Sequence, residues 1–179
     1  MLTSEKLLVK SARNGSEKAF EVLIKKYTTP VYGLLMDMTK NIHDAEDLTQ
    51  DTFSKAFRKI NSFKEKSKFS TWIYRIAYNT AIDFLRKKNR EIPTDWSDHK
   101  NVDKLKRNPK EYSNKNELIN RALNTLTVNQ RSVVSLHYYQ DMKLTEIAHI
   151  MDCAESTVRV RLFRALKKLK RILKDLEYD

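Results

Sequence analysis

Punctuation is scarce in this chain: two glycines (Gly15, Gly33) and three prolines (Pro30, Pro93, Pro109) are spread over 179 residues. Turn-rich β architectures need many more, so the composition points to an all-α fold. Two glycines so far apart also exclude a Gly-rich dinucleotide-binding turn and a phosphate-cradling P-loop. The single cysteine, Cys153, excludes an internal disulfide and a multi-cysteine zinc site. It is expected to be a small buried side chain. His43, His99, His137 and His149 are scattered, with no pair at ligand spacing. Without a metal cluster, a nucleophile–base pair or a phosphate loop, neither catalysis nor a cofactor is expected. The first fourteen residues are charged throughout, unlike a signal peptide, and no apolar run approaches the ~20 residues that span a bilayer. A soluble cytoplasmic protein without membrane insertion is therefore expected.

Negative charge is also in deficit. Lys and Arg number 35 against 23 for Asp and Glu, a formal net charge of +12. Such a surplus favours a polyanionic partner, because neutralising phosphates releases condensed counterions. Its distribution must decide between nucleic acid and an acidic membrane surface.

Helical periodicity organises what remains. A first helix is expected over Ser4–Asn14, and Asn14-Gly15-Ser16 reads as a stop followed by a serine cap. Apolar residues from Phe20 to Met38 continue at helical spacing, with Pro30 expected to kink or divide that helix near Thr29. Further helices are expected over His43–Ile60, with Asn41 as cap, and over Ser70–Lys88. The pattern fails between Arg90 and Ser113, where Pro93, Pro109 and charges of both signs suggest an extended linker. It resumes at Asn116, with helices expected over Asn129–Tyr139, Thr145–Met151 and Glu155–Leu176. The reading is two small helical domains, 1–89 and 114–179, joined by a flexible charged linker over 90–113.

The segment from Leu144 to Leu166 has the pattern of a helix-turn-helix. A short helix with Ile147, Ala148 and Met151 inside meets a tight turn at Asp152-Cys153-Ala154, and Val158 locks the longer helix back. On that helix an apolar stripe runs from Val158 through Leu162, Ala165, Leu166 and Leu169 to Leu176. Opposite it lie Ser156, Arg159, Val160, Phe163, Arg164 and Lys167. Arginine can read guanine bidentately and apolar groups can touch thymine methyls, while later cations reach phosphates. Past Lys167 the cations are equally explained as complements to the helix dipole.

Two further helix faces stand out. On the His43–Ile60 helix, Phe53, Ala56, Phe57 and Ile60 are expected to point inward. Asp44, Asp47, Asp51 and an exposed Leu48 would point outward, an acidic patch suited to a basic protein partner. Acids near a helix N-terminus are also explained by the dipole. On the Ser70–Lys88 helix, Trp72, Arg75, Asn79, Asp83 and Arg86 share one face, and the preceding loop adds Phe63, Phe69, Lys64, Lys66 and Lys68. Rings interleaved with Arg and Asn suit single-stranded nucleic acid, although Trp72 could equally be core.

The runs Asp44-Ala-Glu-Asp-Leu-Thr-Gln-Asp-Thr-Phe53 and Phe69-Ser-Thr-Trp-Ile-Tyr-Arg-Ile-Ala-Tyr-Asn79, followed by the helix-turn-helix, resemble the extracytoplasmic-function (ECF) group of bacterial RNA polymerase sigma factors. The resemblance covers nearly the whole chain outside the linker. It implies a two-domain factor, regions 2 and 4, that carries core RNA polymerase to promoters through the β′ clamp helices and the β flap. It assigns polymerase docking to Asp44, Asp47, Leu48, Gln50 and Asp51. Recognition and opening of the −10 element falls to the Phe69 helix and the loop before it, hence to Phe63, Phe69, Trp72, Arg75, Ile76, Asn79 and Arg86. Among these Phe63, Phe69, Ile76 and Asn79 would hold a flipped-out base. Ser156, Arg159, Val160, Phe163, Arg164 and Lys167 would meet the duplex −35 element. An anti-sigma factor is a further implied partner. Two departures are visible: Asp141 stands where the family often has glycine, which bears on the local turn, and the linker is less acidic than in many relatives, which bears on its path through the polymerase. The alternative is a stand-alone helix-turn-helix regulator, which leaves the Asp44 stripe and the Trp72 face without employment.

Overall fold

The computed structural model describes residues 4–90 and 114–177, so the linker expected over 90–113 lies almost wholly outside the described residues. No strand occurs among them, and the all-α expectation holds. The chain divides into two compact units, one containing α1 to α4 and the other most of α5 to α8.

The first unit consists of α1 (Ser4–Arg13), α2 (Glu17–Thr39), α3 (Ile42–Lys59), a 3-10 turn (Ile60–Ser62) and α4 (Phe69–Arg90). Local chemistry sets its boundaries. Gly15 adopts φ +91° between α1 and α2, and the Ser16 hydroxyl accepts from the Ala19 N–H at 3.3 Å to cap α2. The Asn41 side chain accepts from the Asp44 N–H at 3.0 Å and caps α3. Pro30 does not divide α2, which runs on to Thr39 as one helix. Tyr27, Val31, Leu34 and Leu35 are buried on both sides of it, and that apolar anchorage outweighs the lost backbone hydrogen bond. Small side chains at Ala45, Ala56, Ala77 and Ala81 are wholly buried, which lets α3 and α4 press closely into the core. Gly33 sits inside α2 with open space where a Cβ would stand. Gly33→Ala should therefore raise stability by about 0.5–1 kcal/mol through helix propensity, measurable as a rise in the urea midpoint at unchanged slope.

The second unit holds α5 (Asn114–Asn124), α6 (Val128–Val134), a π-helical turn (Ser135–Tyr139), α7 (Leu144–Met151) and α8 (Glu155–Glu177). A Thr127/Gln130 capping box starts α6. Residues Arg131 to Leu136 are all buried, making α6 the central helix of the unit. Arg131 is a buried charge, 6% exposed, whose Nη2 donates to the Leu126 carbonyl at 2.6 Å and Nε to the Leu123 carbonyl at 3.2 Å. The guanidinium thus brackets the turn between α5 and α6, giving the Leu126 carbonyl a donor and adding a second to the Leu123 carbonyl, which the Leu126 N–H also reaches at 3.2 Å. The continuous helix expected over Asn129–Tyr139 instead widens into the π turn, with the Gln140 N–H bonded to the Ser135 carbonyl at 3.2 Å. This turn leaves Tyr138 and Tyr139 exposed.

Candidate functional site

The helix-turn-helix forms as the sequence predicts. Ile147, Ile150 and Val158 are fully buried, and Met151 nearly so. The Cys153 N–H returns to the Ala148 carbonyl at 3.1 Å to close the turn, with Asp152 at φ +50°. Asp141, ahead of α7, takes φ +49°, the left-handed conformation that glycine would supply. Aspartate tolerates that region, so the departure from the family pattern leaves a left-handed turn residue in place. Cys153 is half-buried rather than buried, with Arg161 Nη1 at 3.6 Å from its sulfur.

The outer face of α8 is open to solvent. Ser156, Arg159, Val160, Phe163, Arg164 and Lys167 are all exposed, Phe163 at 66%. Arg159 is steadied by Glu155 one turn earlier at 2.6 Å. The apolar stripe behaves differently along its length. Leu162 and Ala165 are buried, but Leu166 is exposed and Leu169 and Leu173 only half-buried. They line a groove of ≈ 180 Å³ with Ile119, Leu123 and Tyr138.

On α3 the structure corrects two assignments. Leu48, expected outside, is only 4% exposed; Phe57, expected inside, is 49% exposed. The buried arc is centred on Ala45, Thr52 and Ala56, with Leu48 at one edge and Phe53 at the other, so Phe57 falls just beyond it. Leu48 is core and cannot supply contact area to a partner. Asp47, Gln50 and Asp51 remain exposed, whereas Asp44 is held by Lys88 of α4 at 2.8 Å and is mostly covered. Phe57 touches Phe20 edge-on at 5.2 Å between ring centres and lines a groove of ≈ 560 Å³ with Glu21, Ile24, Phe53 and Ser54. Helical spacing alone does not reveal this aromatic rim, because periodicity gives the angle between residues and not which arc is buried.

The face of α4 is reordered in the same way. Arg75, Asn79 and Arg86 are exposed, and Trp72 and Ile76 are half-buried. Phe63 and Phe69, expected as part of an aromatic surface, are each 4% exposed. They form an aromatic cluster beneath Trp72, with ring centres 5.1 Å (Phe63–Trp72), 5.5 Å (Phe69–Trp72) and 5.9 Å (Phe63–Phe69) apart. Tyr27 of α2 abuts Phe69 at 5.3 Å. Apolar area held against a second layer is worth more than the same rings in water, and the third partner, Tyr27, lies over forty residues away in sequence. The Tyr27 hydroxyl donates to Glu5 at 2.8 Å; burial foremost, then this bond, pushes the phenol well above its ordinary range. Lys55 of α3 donates to the Thr80 hydroxyl at 3.1 Å, tying α4 to α3.

Among the described residues no cluster of His, Cys, Asp or Glu could hold a metal ion, and no helix is long and apolar enough to cross a membrane.

Residues 23–91 match the Sigma-70 region 2 family and residues 116–169 the Sigma-70, region 4 family. The ECF RNA polymerase sigma-E factor of Haemophilus influenzae is 32% identical over 184 residues, spanning 97% of each chain. The ECF RNA polymerase sigma factor SigW of Bacillus subtilis is 31% identical, over 94% of this chain and 96% of that one. The sigma factor RpoE of Bartonella quintana, solved in complex with the anti-sigma factor NepR, superposes with a TM-score of 0.75 at 28% identity, over 88% of this chain and 98% of that chain. With both regions matched in order and full-length relatives above 30% identity, the chain belongs to the ECF group of RNA polymerase sigma factors.

Proposed function

We propose that the protein acts in the cytoplasm as a non-enzymatic alternative sigma factor whose surfaces divide the work of promoter-directed initiation. Region 2 spans 1–89, region 4 spans 114–179, and 90–113 joins them. Core polymerase docks on the exposed acids and amide of α3, Asp47, Gln50 and Asp51, with Phe57 as the apolar anchor that Leu48 cannot be. The partner's β′ clamp helices meet this face, and the β flap meets the apolar groove along α8 of region 4. Asp44 serves the docking face indirectly through its bond to Lys88.

The −10 element is read on α4. Arg75 and Arg86 hold the backbone, Trp72 offers a stacking face, and Ile76 and Asn79 line the site for an extruded base. Phe63 and Phe69 support this surface from beneath. Ser156, Arg159, Val160, Phe163, Arg164 and Lys167 meet the −35 duplex, the first residues at base edges and Lys167 at phosphate. An anti-sigma factor restrains the protein, as the Bartonella relative's complex with NepR suggests.

The observation that carries this reading is the exposure of Phe163 and Arg159 on a buried-core helix-turn-helix, in a chain that also bears an exposed acidic face. Phe163→Ala and Arg159→Ala should each cost about 1–3 kcal/mol of −35 discrimination. Competition between promoters in transcription by reconstituted polymerase measures it, with core affinity unchanged. Tight operator binding by the chain without polymerase would instead favour the stand-alone regulator.

A further inference from the structure

The loop between the 3-10 turn and α4, residues 63–68, is held in an unusual way. Glu65 adopts φ +53°, a conformation that L residues avoid. Its carboxylate lies 2.6 Å from Nη1 of Arg13, the last residue of α1 and 52 positions earlier in the chain. Arg13 Nε is buried without a hydrogen-bond partner, so the guanidinium is partly withdrawn from water on its α1 side and satisfied on the Glu65 side. Helix α1 also packs on the Ile60–Ser62 turn that launches the loop, and the Phe63 N–H closes that turn on the Ile60 carbonyl at 3.1 Å. At the other end of α1, Glu5 bonds both Tyr27 and Lys26. Helix α1 is thus fastened to α2 at one end and to the loop at the other.

We propose that Arg13 is a positioning residue for promoter reading. Its clamp on Glu65 sets the path of the loop that carries Lys64, Lys66 and Lys68 and seats Phe63 under Trp72. The inference rests on the assignment of this loop and α4 to the −10 element. Released from Arg13, Glu65 relaxes from positive φ toward extended backbone. Phe63 then shifts, the stacking face of Trp72 loses its support, and the stretch carrying the three exposed lysines changes path. Arg13 touches no DNA in this scheme; it acts through the loop.

The test uses the full-length chain with core polymerase and promoters altered singly in the −10 or the −35 element. Arg13→Ala and Glu65→Gln should each flatten −10 discrimination about fivefold, equivalent to about 1 kcal/mol at 1.4 kcal/mol per decade. Combining them should add nothing further, because both break one contact. Preference at −35 and affinity for core polymerase should stay at wild-type values. With Trp96→Phe as background, Trp72 emission should shift in both single variants, a readout that loss of an isolated surface ion pair would not move. Additive effects, equal losses on −10 and −35 promoters, or unchanged discrimination with unchanged Trp72 emission would each overturn the role of Arg13. Wild-type polymerase complex indifferent to the −10 sequence would overturn the loop assignment itself, and with it the inference.

Discussion

Reversing two charges on α3, Asp47→Lys with Asp51→Lys, should weaken polymerase association severely while leaving the fold intact. Both side chains are exposed, so the stability cost stays within about 0.5 kcal/mol for each site. Against a basic partner each reversal turns an attraction into a like-charge contact, and together they are expected to weaken binding by about 100-fold or more. Titration of labelled protein into core polymerase measures this, and calorimetry of the free variant checks the fold. Wild-type affinity in the double variant would remove α3 from the docking surface. Leu48→Ala is a poor probe of the same question. It empties a core site, costing about 2–5 kcal/mol, and would lower polymerase binding simply by unfolding region 2. Phe57→Ala is the informative apolar substitution there, since half of that ring already faces solvent.

Arg131→Ala should produce the largest loss of stability in region 4. It removes two charge-assisted hydrogen bonds and leaves the carbonyls of Leu123 and Leu126 without that donor. Each such bond is worth about 1.5–3 kcal/mol, and with partial rehydration of the carbonyls the expected net loss is about 3 kcal/mol. For a unit of this size that lowers the melting transition by more than about 10 °C. Circular dichroism on the whole chain should show an early transition for region 4, with that of region 2 unmoved. Arg131→Lys should recover only part of the loss, because a single ammonium cannot reproduce a planar fork aimed at two carbonyls. An unchanged melting profile in Arg131→Ala would mean that water replaces the guanidinium without cost.

Much of this architecture is local and therefore legible. Ser16 and Asn41 cap the helices that follow them, because each hydroxyl or amide needs only the next turn of its own backbone. The helix-turn-helix is equally local: Ile147 and Val158, eleven residues apart on either side of the turn, are both fully buried. The exposed row Arg159, Phe163 and Arg164 follows once Val158 and Leu162 are known to point inward. The acids Asp47 and Asp51 were readable for the same reason, as one stripe at helical spacing.

What failed to be legible has a common cause. Leu48 and Phe57 exchange their expected places because periodicity gives the angle between residues but not which arc meets the core, and here that arc is built on Ala45, Thr52 and Ala56. Pro30 stays inside α2 because neighbours from other helices hold both halves of it. Phe69 is interior because Tyr27, distant in sequence, packs against it, and Phe63 packs in turn on Phe69 and Trp72. In each case the deciding contact comes from another element.

By itself the sequence determined the helical class, the caps at Ser16 and Asn41, the turn of the DNA-reading motif and the family to which the chain belongs, since all of these depend on neighbours within one or two turns or on motif order. Tertiary structure alone decided that Phe57 rather than Leu48 faces outward, that the aromatic cluster lies beneath Trp72, that Arg131 is a buried bracket and that Arg13 holds Glu65. Burial and pairing between residues far apart are settled by which helices pack together, and no single stretch of chain carries that information.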